Sequence, residues 1–215
     1  MPRLPGRAGW GLVLLATALS VAWAGTSVLA VFTATKTVGA NTFTTPASFC
    51  ASPGVRPTLY ASADSYIQQA SANTNFGSSS SLFVNPTSGA AMRSLILFTL
   101  PTLPANCTVT AATLQLHNSS VGSGRSIDVY QANASWTENG VTWNNRPGQT
   151  GTAVTSTPAT TQTWDVTAHV QAQYAGTNNG FVVRDHSEGS GTNQQNYDSR
   201  TKSGGSPPQL IVTWG

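Results

Sequence analysis

The sequence predicts an all-β domain, an antiparallel β-sandwich of jelly-roll type with one short helix, and three observations carry that prediction. Thirty Thr and 24 Ser supply a quarter of the 215 residues. Only 8% of the chain is charged, and Lys plus Glu number four, so the Ala/Glu/Lys/Leu bulk of a helical bundle is missing. Short runs of Val, Ile, Thr and aromatic residues recur between clusters of Gly, Asn, Pro and Ser. A disordered chain is excluded by 7 Phe, 6 Trp and 5 Tyr at low net charge.

Residues 1–30 carry Arg3 and Arg7, and no charge follows from Ala8 to Thr35. Basic residues ahead of the apolar run from Gly11 to Ala24 are the pattern of an export signal, with small residues placed for a cut after Ala24 or Ala30. The uncharged run is also long enough to span a bilayer of ~30 Å, so an uncleaved anchor is the alternative. Either way the remainder is expected outside the cytoplasm, secreted or attached to the cell surface. Losing Arg3 and Arg7 leaves eight bases against seven acids, a net of +1. No basic stripe survives to hold a phosphate backbone, which argues against nucleic acid.

Residues 31–56 are rich in Thr, Ala and Pro without periodicity, and read as an N-terminal segment pinned by Cys50. Cys50 and Cys107 are the only cysteines. In an oxidising compartment their pairing is the default, and closing that loop stabilises a fold by about 4 kcal/mol in the chain-entropy picture. Neither a CxxC spacing nor a neighbouring His supports a reactive thiol or metal pair.

From residue 57 to 215 the strands follow in order. Residues 64–68 form the first, then a polar loop, then 82–84. Residues 93–100 are apolar on both faces, as in a central strand, and Pro101 and Pro104 end it. Within 108–117, Leu114 and Leu116 alternate with Thr113, Gln115 and His117. Ile127 and Val129 alternate with Asp128 and Tyr130 in the same way. Segments 163–166, 180–184 and 209–214 complete the set. Between them Thr167 is placed to cap a helix over 168–175, with Val166, Val170 and Tyr174 on one face and Gly176 as the stop.

Chemistry must come from seven acids, three histidines and the hydroxyls. No G-x-S-x-G elbow, H-E-x-x-H, P-loop or strand-borne G-x-G-x-x-G is present. His117 and His169 fall on presumed exposed faces. The one local cluster is Asp185, His186 and Glu188, which reads either as a solvated loop tip or as a cation or acid–base site. Asp64, Asp165 and the Asp185 loop are possible oxygen ligands for Ca²⁺, but no spacing ties them together, so the metal remains open. Two of the tryptophans, Trp136 and Trp143, crowd into residues 135–147 with Arg146 and Pro147. Core or loop anchoring is favoured over sugar stacking for these two and for Trp164 and Trp214.

The motifs then converge. Asp64-Ser65-Tyr66-Ile67, Asn73-Thr74-Asn75-Phe76-Gly77, Arg93 to Phe98, the Trp-rich block, Trp164-Asp165-Val166-Thr167, Tyr197-Asp198-Ser199-Arg200 and the closing Pro207-Pro208-Gln209-Leu210 resemble, in order, a DNRLRE-type domain related to carbohydrate-binding module family 96. The resemblance covers roughly residues 60–215. It implies a β-sandwich that binds polysaccharide without cleaving it. One departure is that the family's Ser-Arg-Glu reads Ser199-Arg200-Thr201 here. The segment from Ser27 to Thr45 also resembles leaders of the camelysin and biofilm-fibre type, which implies a bacterial cell-surface setting.

These readings lead to a non-catalytic glycan-binding module whose partner is a polysaccharide, acidic or neutral, with no cofactor assigned and Ca²⁺ left open. Arg184, Tyr197, Arg200 and Lys202 are its candidate contacts, because guanidinium and ammonium groups pair with uronate carboxylates. A structural or adhesive surface protein without glycan specificity is the alternative.

Overall fold

The computed structural model describes residues 37–38, 41–42, 49–119 and 124–215. The predicted leader, its cut site and most of the 31–56 segment lie outside the described residues. The chain divides into two units, Met1–Thr45 and Pro46–Gly215. In the first, β1 (Thr37–Val38) and β2 (Asn41–Thr42) pair antiparallel.

The second unit is the predicted antiparallel β-sandwich. Its strands are β3 (Thr58–Gln68), β4 (Ser81–Val84), β5 (Met92–Phe98), β6 (Val109–His117), β7 (Ile127–Ala132), β8 (Gln149–Ser156), β9 (Thr161–Asp165), β10 (Phe181–Asp185), β11 (Gln195–Asp198) and β12 (Gln209–Trp214). Eight of them form one hydrogen-bonded array in the order β8-β7-β10-β5-β3-β12-β6-β9. The array folds over at β3. Residues Thr58 to Tyr60 of that strand pair with β12, whereas Ala61 to Gln68 pair with β5. Between the two stretches the register slips at Ser62, a bulge of the kind that bends a strand. One end of β3 therefore serves one layer and the other end the opposite layer. β4 and β11 pair with each other, and single bridges, Asn85 to Met92 and Asn118 to Tyr197, join them to the layers.

The alternation seen in the sequence sorts side chains between the layers. Leu114, Leu116, Ile127, Val129, Ile96, Phe98, Phe181, Val183, Trp164, Leu210 and Val212 all point inward and are buried. Trp164 donates its indole N–H to the Ile127 carbonyl at 2.9 Å, which satisfies the one polar atom it brings into the core. A second apolar cluster, Ile67, Leu95, Ala132, Val141 and Val182, lies on the outer face of the β5–β10 layer, where half-buried Trp136 and Trp143 cover it. This explains why β5 reads as apolar on both sides. The disulfide Cys50–Cys107 is formed, with a Cα–Cα distance of 4.3 Å.

Three expectations change. The helix α1 (Thr167–Ala175) has the predicted place, but Thr167 is its first residue rather than its cap. The Thr167 hydroxyl accepts the Ala112 N–H and donates to Asp165, whose carboxylate also takes the Thr167 N–H. His169 is buried at 3% exposure, because the helix packs this residue, Val170 and Gln173 inward. Strand β8 was not foreseen: Gln149 to Ser156 is polar, with Gly151 inside, and becomes a strand by pairing with β7 at the sheet edge. Gly180, just before β10, has φ +75°, and a Cβ there would lie 2.3 Å from the Ile96 carbonyl oxygen. Only glycine fits that junction.

Candidate functional site

The four candidate contacts do not share one site. Tyr197 on β11 is fully buried, its ring set edge-on to Trp164 and its hydroxyl donating to Gln162 at 2.6 Å. Burial first, then the negative charge of Asp185, pushes its phenol pKa up. A ligand has no access to it, so Tyr197 leaves the candidate set and acts as a core residue. Lys202 closes an ion pair with Asp198, which also receives His117 Nδ1 and the Ser206 N–H.

Arg200 is committed as well. Its Nε and Nη2 donate to the two oxygens of Glu138 at 2.7 and 2.5 Å. Its backbone N–H donates to Asp64, which also takes the Ser199 hydroxyl. Asp64 is fully buried, and burial is the main reason its pKa is raised, against the bonds from the Arg200 N–H and the Ser199 hydroxyl. Burial also pushes Glu138 up, but the Arg200 bonds, the Asp64 N–H and the Arg200 charge together bring it below its ordinary value. Asp64 and Glu138 are thus neighbouring carboxylates, yet one is inaccessible and the other clamped. They brace the 133–148 segment against β3.

Arg184 has a different setting. It lies on β10 with its side chain on the outer face of the layer, opposite Asp128 on β7. Its guanidinium sits 5.9 Å from the Tyr130 ring and 3.7 Å from Glu188. Glu188 is held more tightly by Arg93 on β5, whose Nε and Nη2 donate to its two oxygens at 2.7 and 2.6 Å. Arg93 in turn lies 5.1 Å from the Trp143 ring, and Arg146 lies 4.1 Å from the same ring. Burial, followed by the positive charge of Arg93, lowers the Arg146 pKa, while Glu188 pulls the other way. Three guanidiniums and two aromatic rings therefore share one patch with two carboxylates, Glu188 and the buried Asp128 across from Arg184.

Trp143 acts here as a platform for arginines more than for sugars. Its ring is half-buried against the outer apolar cluster, and Arg146 stacks on it while donating to its carbonyl. Beside this patch runs a groove of about 280 Å³ lined by Gln69, Thr87, Ser88, Arg93, Trp143 and Glu188. That volume holds about nine waters, enough for one sugar ring. A second groove of about 360 Å³ lies against Trp136 and a third of about 430 Å³ against Tyr174, and no charged side chain lines either.

The Asp185, His186 and Glu188 cluster disperses in three directions. Asp185 binds Arg125 through two bonds of 2.6 and 2.7 Å, His186 faces Asp128, and Glu188 faces Arg93. Among the described residues no three His, Cys, Asp or Glu side chains come together as a metal site. Asp165 is occupied at the start of α1, and Asp64 is enclosed by Ser199 and Arg200.

Arg93, Arg146 and Glu188 were not singled out from the sequence as members of this patch. Arg93 and Arg184 both stand at positions whose strand parity opposes the core residues, and that parity is a signal that a sequence carries. The neighbouring of β5 and β10, which places them side by side, is not.

The sandwich thus presents an outer face that bears arginines and aromatic rings, with a groove beside it. The profile of carbohydrate-binding module family 96 matches residues 56–214, and the chain belongs to that family. Its partner is accordingly a polysaccharide. The chain matches no curated protein.

Proposed function

We propose that this chain is an exported, non-catalytic module that binds an anionic polysaccharide on the face formed by Arg93, Arg146, Arg184 and Trp143. One observation carries the acidic character: three guanidiniums, Arg93, Arg146 and Arg184, stand beside two carboxylates, Glu188 and the buried Asp128 across from Arg184, leaving one positive charge over. Arginine forks match carboxylates in geometry and hold them with charge-assisted bonds. The groove beside Arg93 supplies hydroxyl and amide groups from Thr87, Ser88 and Gln69 for a sugar ring. The formed disulfide supports an oxidising, extracytoplasmic location, as does the export-signal pattern of residues 1–30.

The test is retention of the purified protein on immobilised polygalacturonate, its methyl ester and a neutral glucan. Retention on the polyuronate alone, weakened by Arg93→Ala and by salt, is the expected result. Equal retention on the neutral glucan would remove the charge from the recognition. Release of reducing ends from any of the three would overturn the non-catalytic part.

A further inference from the structure

Glu188 has a position that the binding reading alone does not explain. A recognition face gains nothing from filling its best-placed arginine fork with its own side chain. Yet Glu188 takes both the Nε and Nη2 donors of Arg93, and its carboxylate is only 12% exposed, as Arg93 is only 16% exposed. The same carboxylate lines the groove, next to Trp143 and Gly189. It therefore stands where the fork and the groove meet, which is where a sugar lying in the groove would place an acid group.

We infer that Glu188 is a specificity-determining residue of this face, an internal carboxylate that a ligand must displace, so that runs of adjacent uronates bind and isolated ones do not. This rests on the reading of the face as an anionic-glycan site. A single uronate entering the Arg93 fork exchanges one bidentate carboxylate for another and gains little there. Net affinity comes only when the same chain also reaches Arg184 and Arg146. Adjacent strands are spaced about 4.8 Å apart, so Arg93 on β5 and Arg184 on β10 suit acid groups on neighbouring sugars.

The local chain lets Glu188 leave without unfolding a strand. It sits in the turn after β10, in which the Ser190 N–H bonds to the Ser187 carbonyl. Gly189 and Gly191, with φ of +90° and +93°, follow it. Gly189 is tied to the Pro86 carbonyl at 2.6 Å, which holds the turn over the groove while the Glu188 side chain rotates. Once released, Glu188 repels an anionic chain that does not fully neutralise the three arginines, which sharpens the threshold.

The experiment is calorimetric titration of the protein, and of Glu188→Gln, with galacturonate oligomers of increasing length, polygalacturonate and its methyl ester. The protein is expected to ignore the monomer and to bind steeply above a minimum length. E188Q is expected to bind polygalacturonate roughly tenfold more tightly and to accept shorter oligomers, since one competing charge-assisted pair is gone. The methyl ester should be unchanged. E188D keeps the charge on a shorter arm and should move in the same direction by less. Binding by the protein with no gain in either folded variant overturns the role of Glu188 and leaves the anionic reading intact. No polyuronate binding by the protein or by either variant overturns that reading and the role of Glu188 with it.

Discussion

The guanidinium of Arg200 and the carboxylate of Glu138, 62 residues apart, form a two-bond clamp whose Oε1 also accepts the N–H of Asp64. Three distant segments meet at this pair: β3, the Trp-rich loop and the turn after β11. Arg200 is thereby spent on the fold. Arg200→Ala should lower stability by about 1–2 kcal/mol, since the pair is partly exposed and screened. Polysaccharide affinity should stay within about twofold. Asp64→Ala should cost more, about 2–3 kcal/mol, because it strips the buried Ser199 hydroxyl and the Arg200 N–H of their acceptor. Urea melts of both variants check the order.

On the outer face the ranking differs. Arg93→Ala and Arg146→Ala should each weaken polyuronate binding by about tenfold or more, and Lys202→Ala should leave it unchanged. Trp143→Ala should act like the arginine variants, because it removes the ring against which both guanidiniums are stacked. Tyr197→Phe should lower the melting temperature and spare binding, since it only deprives the buried Gln162 Oε1 of the Tyr197 hydroxyl, while the Gln162 amide keeps its bond to the Ser156 carbonyl. Titration of these variants beside their thermal melts separates the two kinds of residue.

Acid should weaken the fold in two stages. Burial, against a weaker pull from the Thr152 backbone, holds the His169 pKa below its ordinary 6.5. The unfolded chain then binds that proton more readily than the fold does. Stability from this residue is complete above pH 6.5 and is lost as pH falls through the folded value. Glu138 and Asp198 repeat the sign lower down. Burial raises each, but bonds from Arg200 or Lys202 more than offset it, so their contribution is whole above the ordinary carboxylate range and lost in stronger acid. Asp64, with its raised pKa, works in the opposite sense and is relieved by protonation. Urea midpoints against pH should show a shoulder that begins as pH falls below the ordinary 6.5 and that His169→Gln removes.

Gly180→Ala should destabilise the domain by more than about 2 kcal/mol. It places a methyl against the Ile96 carbonyl and asks an L-residue to hold a positive φ. A refolded variant with an unchanged urea midpoint would contradict the geometry at that junction.

Reducing the Cys50–Cys107 bridge should cost at most about 4 kcal/mol, as expected for a loop of 57 residues. The core strands do not depend on it, so Cys50→Ser with Cys107→Ser should still fold at low temperature. Circular dichroism during a thermal scan measures the loss.

Much of the fold was legible because its strands are long enough to show a period. Leu114 and Leu116 against Gln115 and His117 announce a half-buried strand, and the structure puts the leucines inside. Strand β8 was illegible because its edge position asks for no apolar alternation, only for backbone pairing with β7. The burial of His169 was illegible for a related reason. A polar side chain can face inward at the end of a sandwich, and spacing along a helix does not reveal which face is turned in.

By itself, the sequence determined the class of the domain, the number and order of most strands, the cysteine pairing and the resemblance to a family of carbohydrate-binding modules. These depend on composition and on contacts within a few residues. The site was decided by tertiary structure alone. Arg93 and Glu188 meet across 95 residues, and β10 stands beside β5 only because the array closes in that order. Of four basic or aromatic candidates, one is buried, two are spent on neighbouring carboxylates, and Arg184 alone lies on the arginine patch. Charge type is written in the sequence. Whether a charge is already answered depends on partners that only the folded chain brings within about 3 Å.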